Sequence, residues 1–266
     1  MVKPDYLPLN TRLTWMVSMA TPPLHAVPFD LKRLRGACSS CGVRELCLPA
    51  GLDLRSINTV DRLIDQRRVL ARGEVLFRNG AALQSLYAVH TGFMKTSVPH
   101  PDGGEQVTGF HMPGDLLGLD ALGDGRHLCD AVALEGSEVC EIPPQILERL
   151  SHTIPSLQQH FHRILSREIV RDHHMMLLLA NLRAEERLAV FLLKLSRRYA
   201  ARGYSPTEFV LCMTRADIGS YLGLTVETVS RALSQMRAGR LIEVSTRHIR
   251  IIGMERLKSA AARAPE

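Results

Sequence analysis

The stretch TRADIGSYLGLTVETVSRALSQMRAGRLI, residues 214–242, decides how the C-terminal part of this chain folds. Thr214 can cap a helix, and Asp217, three residues later, completes a pair typical of a capping box. Gly223 is placed to end this helix, and Thr225 can cap the next one. Two short helices joined by a glycine turn predict a helix-turn-helix unit. The tail that follows, LIEVSTRHIRIIG, predicts two short strands around a turn and therefore a winged version of the unit.

The second helix, over about 226–237, is expected to enter the major groove of double-stranded DNA. In a helix-turn-helix unit, the first residues of the second helix face the base edges. A carboxylate can accept from cytosine N4, and an arginine can pair with guanine or with phosphate. The predicted DNA-binding residues are Val226, Glu227, Ser230 and Arg231. The last three share one helix face, at i, i+3 and i+4, and a Glu227–Arg231 salt bridge is the alternative explanation.

The charge distribution favours a polyanionic partner for the same part of the chain. The whole chain of 266 residues has a formal net charge of +6. Residues 183–266 contain 15 Lys and Arg against 8 Asp and Glu, whereas residues 1–182 contain 18 against 19. Such an asymmetry is typical of nucleic-acid binding, although a solvated basic surface would have the same composition.

The bulk composition is that of an ordinary globular protein, with 45% hydrophobic and 23% charged residues. No apolar run approaches the ~20 residues that span a bilayer, and the N-terminus lacks the pattern of a signal peptide. We therefore expect a cytoplasmic protein that does not bind membranes. In the cytoplasm, clustered cysteines indicate metal or redox chemistry more often than disulfides.

Upstream of the helix-turn-helix, three further segments differ in pattern. Residues 1–30 contain five prolines and no clear periodicity, which predicts a disordered leader. From about 55 to 145, short β-like runs alternate with glycines, as in an antiparallel jelly roll or barrel. A long helix is predicted over roughly 155–182, and one of its faces is apolar except for a central aspartate.

That helix face either packs on its own domain or forms the seam of a homodimer. A β-domain followed by one long helix offers the apolar face little to pack against, which favours the dimer. The predicted interface residues are Phe161, Leu165, Ile169, Asp172, Met176 and Leu179.

Three cysteines lie within the ten-residue segment CSSCGVRELC, residues 38–47, with the spacing C-x2-C-x5-C. Thiolates are ligands of both zinc and iron–sulfur clusters, and a complete set needs a fourth ligand. Cys129, Cys140 and Cys212 remain elsewhere in the chain. The spacing by itself is compatible with structural zinc.

Together these segments resemble the CRP/FNR superfamily of bacterial transcription regulators, specifically the FNR-type anaerobic regulators. The resemblance covers about 38–252 and rests on C-x2-C-x5-C, SLYAVHTGFMKT, GEQVTGFHMPGDLLGLDALG, VCEIP, EERLAVFLL and DIGSYLGLTVETVSR. It implies an α+β fold with an N-terminal β-roll (jelly-roll) sensor domain, a long dimerisation helix and a C-terminal winged helix-turn-helix. The expected division is a leader over 1–30, the cysteine loop plus β-roll over 31–152, the dimerisation helix over 153–182, and the winged helix-turn-helix over 183–266.

The resemblance implies that Cys38, Cys41, Cys47 and one distant cysteine hold a [4Fe–4S] cluster. Cys140, in SEVCEIP, matches the distal ligand of the family, with Cys129 as its rival, and Cys212 is expected to be a small core residue. Leu46, which flanks Cys47 together with Leu48, is expected to shield the cluster, with ordinary packing as the alternative. Without oxygen, the cluster would promote homodimerisation and binding to TTGAT-type half-sites, and oxygen damage would switch the protein off. The segment PHPDGGEQ, residues 99–106, is the candidate contact with RNA polymerase.

Asp172 also gains a role from the resemblance, because the family keeps an acid on the dimer face at the matching position. Two such acids meeting across a two-fold axis would repel by on the order of 1 kcal/mol or more. We therefore expect Asp172→Ala to dimerise even in air. A rim acid in contact with water is the alternative.

Other functions remain as alternatives at this stage. A cyclic-nucleotide regulator of the CRP type needs an Arg-Ser pair in its phosphate-binding turn, where this chain has His127 and Leu128, so we expect no cyclic nucleotide. Structural zinc would leave the DNA binding in place. An enzyme is disfavoured because no Ser-His-Asp, H-E-x-x-H or phosphate-loop pattern occurs, and an electron carrier would not need a winged helix and a basic last third. His173 and His174 are interpreted as a polar helix flank rather than a metal pair.

Overall fold

The computed structural model describes residues 38–63 and 67–261, so the predicted leader over 1–30 lies outside the described residues. The fold is α+β, as expected from the sequence. All described residues belong to one compact unit. Within them, no helix has the length and apolar composition that a membrane crossing requires.

The N-terminal half is a β-roll built from two antiparallel four-stranded sheets with the strand orders β1-β8-β3-β6 and β2-β7-β4-β5. Alternating side chains of both sheets point inward, and Leu70, Met94 and Val139 are almost completely buried between them. The strands are β1 Arg67–Leu70, β2 Val75–Phe77, β3 Leu86–Thr91, β4 Met94–Pro99, β5 Glu105–His111, β6 Leu116–Leu117, β7 Asp130–Ala133 and β8 Ser137–Ile142.

Helices flank the β-roll and connect it to the C-terminal part. Two single-turn 3-10 helices, Cys38–Ser40 and Arg44–Leu46, precede α1 Leu54–Leu63. After β8, α2 Pro144–Thr153 leads into α3 Pro155–Asn181, whose 27 residues correspond to about 40 Å of helix. The predicted long helix therefore agrees with α3 to within about one residue at each end.

The C-terminal part is a winged helix-turn-helix. It contains α4 Ala184–Ala200, β9 Glu208–Val210, α5 Arg215–Leu222, α6 Val226–Ala238, β10 Ile242–Ser245, β11 His248–Ile251 and α7 Met254–Ala260. The predicted caps are present: the Thr214 side chain accepts from the Asp217 N–H at 3.1 Å, and Gly223 ends α5 with a left-handed φ of +63°. The strand β9, which pairs with β11, was not predicted, because three residues are too few to show an alternating pattern.

The β-roll and the helix-turn-helix contact each other through β4, β5 and α5. Lys95 Nζ on β4 lies 2.8 Å from Asp217 Oδ1 on α5, and both side chains are nearly buried. The Val107 N–H on β5 donates to Ser220 Oγ at 2.8 Å. The first helix of the DNA-binding unit is thus fixed on the edge strand of a β-roll sheet, while α6 lies away from this contact.

Candidate functional site

Four cysteines line one cavity between the N-terminal loop and the β-roll. Cys38, Cys41 and Cys47 come from the loop, Cys140 comes from β8, and the cavity volume is about 390 Å³. The rest of the wall is mainly aliphatic, with Val43, Leu48, Pro49, Ala88, Val89 and Ile142, and its other polar members are Arg44 and His90. The structure therefore brings together the four cysteines predicted as ligands.

The cysteine loop is anchored at both ends. Asp61, on α1, accepts hydrogen bonds from the backbone N–H groups of Cys38 and Ser39. At the other end, His160 Nε2 on α3 donates to the Cys47 carbonyl oxygen at 3.1 Å. Leu48, 1% exposed, packs in the same cluster as Leu157 and Phe161 of α3. The loop is thus in direct contact with the first turns of the long helix.

Leu46, predicted to shield the cysteines, lies beside the cavity rather than in its wall. It packs against Gly114, where an added Cβ would come within 2.8 Å of the Leu46 Cβ. Leu48 is the leucine that lines the cavity. Both leucines flank Cys47, so the sequence could not distinguish their roles.

The settings of Cys38 and Cys47 favour the protonated thiol. Burial raises the pKa of Cys38 to about 12, and Asp61 and Cys140 add to the rise. Burial is also the main cause of the raised pKa of Cys47, to which Cys38 and Cys140 contribute. Because a ligating cysteine must lose its proton, these thiolates need a strong positive partner.

Two basic side chains that the sequence analysis did not single out lie beside the sulfurs. Arg67 stands opposite Cys140 in the β1–β8 ladder, and its buried Nε has no hydrogen-bond partner among the described residues. His90 Nδ1 lies 3.7 Å from Cys41 Sγ. Donors in such positions orient and stabilise thiolate ligands. No motif marks them, because sheet register places Arg67 opposite Cys140 and His90 in the cavity wall.

Four thiols can serve as ligands of a single zinc ion or of an iron–sulfur cluster. Among the residues that the structure describes, no three His, Cys, Asp or Glu side chains converge closely enough for one metal ion. A single zinc would draw four sulfurs to ~2.3 Å from one point. Four thiols spread around a shared cavity fit the ligand set of a [4Fe–4S] cluster, in which the cysteines bind separate irons.

The other two cysteines lie elsewhere. Cys129 is buried in the β-roll core, and its Sγ donates to Asp120 Oδ2 at 3.5 Å. Cys212 packs against the core of the helix-turn-helix, as expected of a small core residue. Neither is part of the cavity wall around the other four.

The predicted DNA-binding residues stand on the outer side of α6. Val226 is 43% exposed, Glu227 and Arg231 are exposed, and Ser230 is half-buried. Across residues 38–63 and 67–261, neither Glu227 nor Arg231 takes part in an ion pair. Ser230 Oγ accepts from Arg215 Nη1 at 3.0 Å, a contact across the turn that the sequence analysis did not foresee.

The predicted dimer face of α3 is exposed in its middle and covered at its ends. Ile169 is 57% exposed, Met176 is 60% exposed, and Asp172 between them is also exposed. Phe161 packs against the cluster that contains the cysteine loop, and Leu179 packs against the helix-turn-helix core. Leu165 is half-buried over the β-roll. Val170 and Leu177, also exposed, widen the apolar surface.

A larger cavity, of about 1110 Å³, separates the β-roll from the middle of α3. Its only lining cation among the described residues, Arg171, is ion-paired with Glu168. Asp120 and Asp172 also line it. The turn at His127 and Leu128 was predicted to lack a phosphate ligand. His127 is buried there, and its ring stacks on that of Phe77 with the centroids 3.7 Å apart. The Leu128 side chain lines the cavity.

Comparison with known proteins assigns both halves of the chain. The family model of a cyclic nucleotide-binding domain matches residues 67–153, and that of a Crp-like helix-turn-helix domain matches residues 186–260. The chain is 46% identical, over 83% of its length, to the transcriptional regulatory protein btr of Bordetella pertussis, of which the match covers 91%.

Two further relatives agree with this assignment. The fumarate and nitrate reduction regulatory protein of Escherichia coli is 45% identical over 84% of this chain and 90% of its own length. Among solved structures, FixK2 from Bradyrhizobium japonicum superposes with a TM-score of 0.70 at 30% identity, over 75% of this chain and 98% of FixK2. These likenesses extend over both the β-roll and the winged helix-turn-helix.

Proposed function

This chain belongs to the FNR-type regulators of the CRP/FNR superfamily, and we propose that it is an oxygen-responsive transcription regulator rather than an enzyme. The observation that carries the oxygen-sensing part is the shared cavity of Cys38, Cys41, Cys47 and Cys140. These four residues would hold a [4Fe–4S] cluster. When bound, such a cluster supplies oxygen-sensitive iron–sulfur chemistry.

The protein's own residues prepare this cavity for a negatively charged occupant. Arg67 is paired with Glu138 at 3.2 Å but keeps its Nε without a partner among the described residues, and His90 Nδ1 lies 3.7 Å from Cys41 Sγ, so both can orient deprotonated sulfurs by hydrogen bonds. Leu48 and the aliphatic wall exclude water. Four ligated sulfurs would fasten the loop to β8, replacing the weaker anchoring by single hydrogen bonds.

Fastening the loop also fixes the start of α3. His160 bonds to the Cys47 carbonyl oxygen, and Leu48 packs beside Leu157 and Phe161. We propose that this contact sets the position of α3, whose exposed residues Ile169 and Met176 then form a homodimer seam around Asp172. Loss of the cluster would release the loop, and the repulsion between the two Asp172 carboxylates would separate the dimer.

The dimer would present two α6 helices to successive major grooves of double-stranded DNA. Glu227 and Arg231 are exposed on α6 and can contact base edges, and the Ser230 hydroxyl, held by Arg215, keeps its proton available for such a contact. We propose TTGAT-type half-sites, since Val226 precedes the recognition glutamate where CRP-type regulators carry an arginine. RNA polymerase would contact the exposed turn over 99–104, because Glu105 and Gln106 already engage β4 and α5.

Cyclic nucleotides are not part of this proposal, although the matching family model is named for them. In the cavity of about 1110 Å³, Arg171 is already neutralised by Glu168, and two further carboxylates line the wall. A cyclic phosphate would therefore enter a negative site without a free cationic partner. The proposed location of the protein is the cytoplasm, where its DNA lies.

The test is anaerobic purification followed by an absorption spectrum, iron and sulfide analysis, and light scattering before and after exposure to air. We expect about four irons per chain, a dimer without oxygen and a monomer in air. Cys140→Ser should abolish the cluster, whereas the matched variant Cys129→Ser should retain it. A colourless zinc-loaded dimer that is indifferent to air would refute the oxygen sensor and leave the DNA binding standing.

A further inference from the structure

A third cavity, of about 510 Å³, lies where β5, α3, α4 and α5 meet. Three aromatic rings form one wall, with Phe110 and Tyr221 centroids 5.1 Å apart and Phe191 6.0 Å from each of them. The charged part of the lining is mainly basic. The charged lining residues are Arg171, Lys194, Arg198 and Asp115.

The two arginines of this cavity have carboxylate partners, but the lysine has none. Arg198 is paired with Asp115 and donates to the Phe110 carbonyl oxygen at 2.8 Å. Arg171 is paired with Glu168. Across the described ranges 38–63 and 67–261, Lys194 Nζ forms neither a hydrogen bond nor an ion pair, although its side chain is half-buried.

The surroundings of Lys194 are unfavourable for its own charge. Burial lowers the pKa of its ammonium, and the nearby guanidinium groups of Arg171 and Arg197 lower it further. Asp115, the carboxylate in the wall, pairs with Arg198 and also with the Arg202 guanidinium at 3.0 Å, so two arginines share it. A half-buried cation that is flanked by guanidinium groups and has no carboxylate of its own is stabilised by an incoming anion.

We propose that this cavity binds a small organic anion with a flat apolar body, of the aryl phosphate or aryl carboxylate class. Its anionic group would pair with Lys194, and its ring would lie against Phe110, Phe191 and Tyr221. About 510 Å³ of free space, part of it open to solvent, lies between these groups. A bare inorganic ion would leave the aromatic wall uncovered, and an uncharged ring would leave Lys194 unpaired.

Such an occupant would contact the sensor domain, the long helix and the DNA-binding unit at once. Phe110 belongs to β5, Arg171 to α3, Lys194 to α4 and Tyr221 to α5. The site is separate from the cysteine cavity and from the outer side of α6. Its ligand would therefore be a second input to the regulator, independent of whether a cluster is bound.

The experiment is calorimetric titration of the full chain with phenyl phosphate, benzoate, benzyl alcohol and inorganic phosphate. We expect phenyl phosphate or benzoate to bind at least about tenfold more tightly than benzyl alcohol and inorganic phosphate. The tighter of the two anions identifies the phosphate or the carboxylate class. Lys194→Gln should weaken it at least about tenfold, Lys194→Arg should largely restore it, and the matched exposed control Lys258→Gln should leave it unchanged.

Thermal unfolding keeps the test valid if a variant is less well folded. Without ligand, Lys194→Gln should have the same Tm as the wild type or a higher one, because the substitution removes an unpaired cation. Addition of the anion should raise the Tm of the wild type but not that of Lys194→Gln. The proposal is overturned if neither aryl anion binds, or if benzyl alcohol binds equally well. It is also overturned if a folded Lys194→Gln protein binds the anion with unchanged affinity.

Discussion

At the scale of single residues, the buried side chains of α6 hold the helix on the core, and its exposed side chains face outward, where DNA would bind. Val229 and Leu233 are 0% and 4% exposed and fasten the helix to the core, while Glu227 and Arg231 remain on the outer side. Arg215 holds the Ser230 hydroxyl from the neighbouring helix. Ser230 Oγ accepts in that contact, so its own proton is available for an acceptor on a base.

Glu227→Ala should therefore lower affinity for a TTGAT-type site at least about tenfold, because it removes a base contact worth ~1–3 kcal/mol. Affinity for unrelated DNA should stay equal or rise, since a negative charge beside the phosphates is lost. Fluorescence anisotropy with both DNAs measures the two effects. Glu255→Ala removes the same charge on α7 and serves as the control. Retained discrimination in the Glu227→Ala protein would contradict the assigned role.

His111 is a second residue whose environment has a measurable consequence. It is 5% exposed, its Nε2 lies 3.1 Å from Thr96 Oγ1, and its Nδ1 has no hydrogen-bond partner among the described residues. Burial, with Arg171 as a smaller contributor, lowers the pKa of His111 to about 3. The folded protein thus keeps this imidazole neutral at pH values where the unfolded chain protonates it.

Stability should consequently fall as the pH drops through 6.5 toward 3, since the unfolded state binds the extra proton there. Between pH 7.5 and 5.5, His111 should account for a loss of about 1.4 kcal/mol in the free energy of unfolding. Urea unfolding at the two pH values measures it. His111→Gln should have a correspondingly flatter dependence, and the exposed His100→Gln should keep the wild-type slope. Equal slopes in all three proteins would show that His111 is not buried as described.

At the scale of elements, the cysteine loop is seated on the β-roll by one close approach. Gly114 has a φ of +95°, and an added Cβ would meet the Leu46 Cβ at 2.8 Å. Gly103 has a similar φ of +84° but has no neighbouring atom within 4 Å of such a Cβ. Alanine at either glycine would strain the backbone, but only alanine at Gly114 would also cause a packing clash, so comparing the two substitutions isolates the clash.

Gly114→Ala should destabilise the protein by about 1–3 kcal/mol more than Gly103→Ala, because only the former forces the loop away from β6. Urea unfolding compares the free energies of the two variants. Iron content after anaerobic purification should also fall in Gly114→Ala and remain normal in Gly103→Ala. Equal stability of the two variants would mean that the loop accommodates the extra methyl group without displacement.

The elements themselves were largely predictable, because their signals are local. Thr214, Gly223 and Thr225 act on residues within one helical turn, so the caps found in α5 and α6 follow from the sequence. The strand β9 and the seat of Leu46 on Gly114 were not predictable, because each depends on a partner from a distant part of the chain.

At the scale of the whole molecule, α3 joins the proposed sensor site to the proposed dimer seam. Its first turns pack beside the cysteine loop, its last turns pack on the helix-turn-helix core, and its middle leaves Ile169 and Met176 exposed. Asp172 lies exposed between them. A second copy of α3 against this surface would bring the two Asp172 carboxylates together.

Asp172→Ala should dimerise in air, because removing the two facing charges relieves repulsion of about 1–2 kcal/mol and tightens the dimer about tenfold. Sedimentation velocity of the cluster-free protein measures the dimer fraction. Glu148→Ala removes an exposed acid from α2 and should remain monomeric under the same conditions. A monomeric Asp172→Ala protein in air would remove Asp172 from the proposed switch.

The sequence by itself determined the winged helix-turn-helix, the β-roll, the long helix and the cysteine loop, since capping, periodicity and ligand spacing are encoded in neighbouring residues. Only the tertiary structure decided that Cys140 rather than Cys129 faces the loop, that Leu48 lines the cavity, and that Arg67 and His90 lie beside the sulfurs. These placements depend on sheet register and on packing between segments far apart in the chain, and a shift of one residue in register would turn the same side chains away.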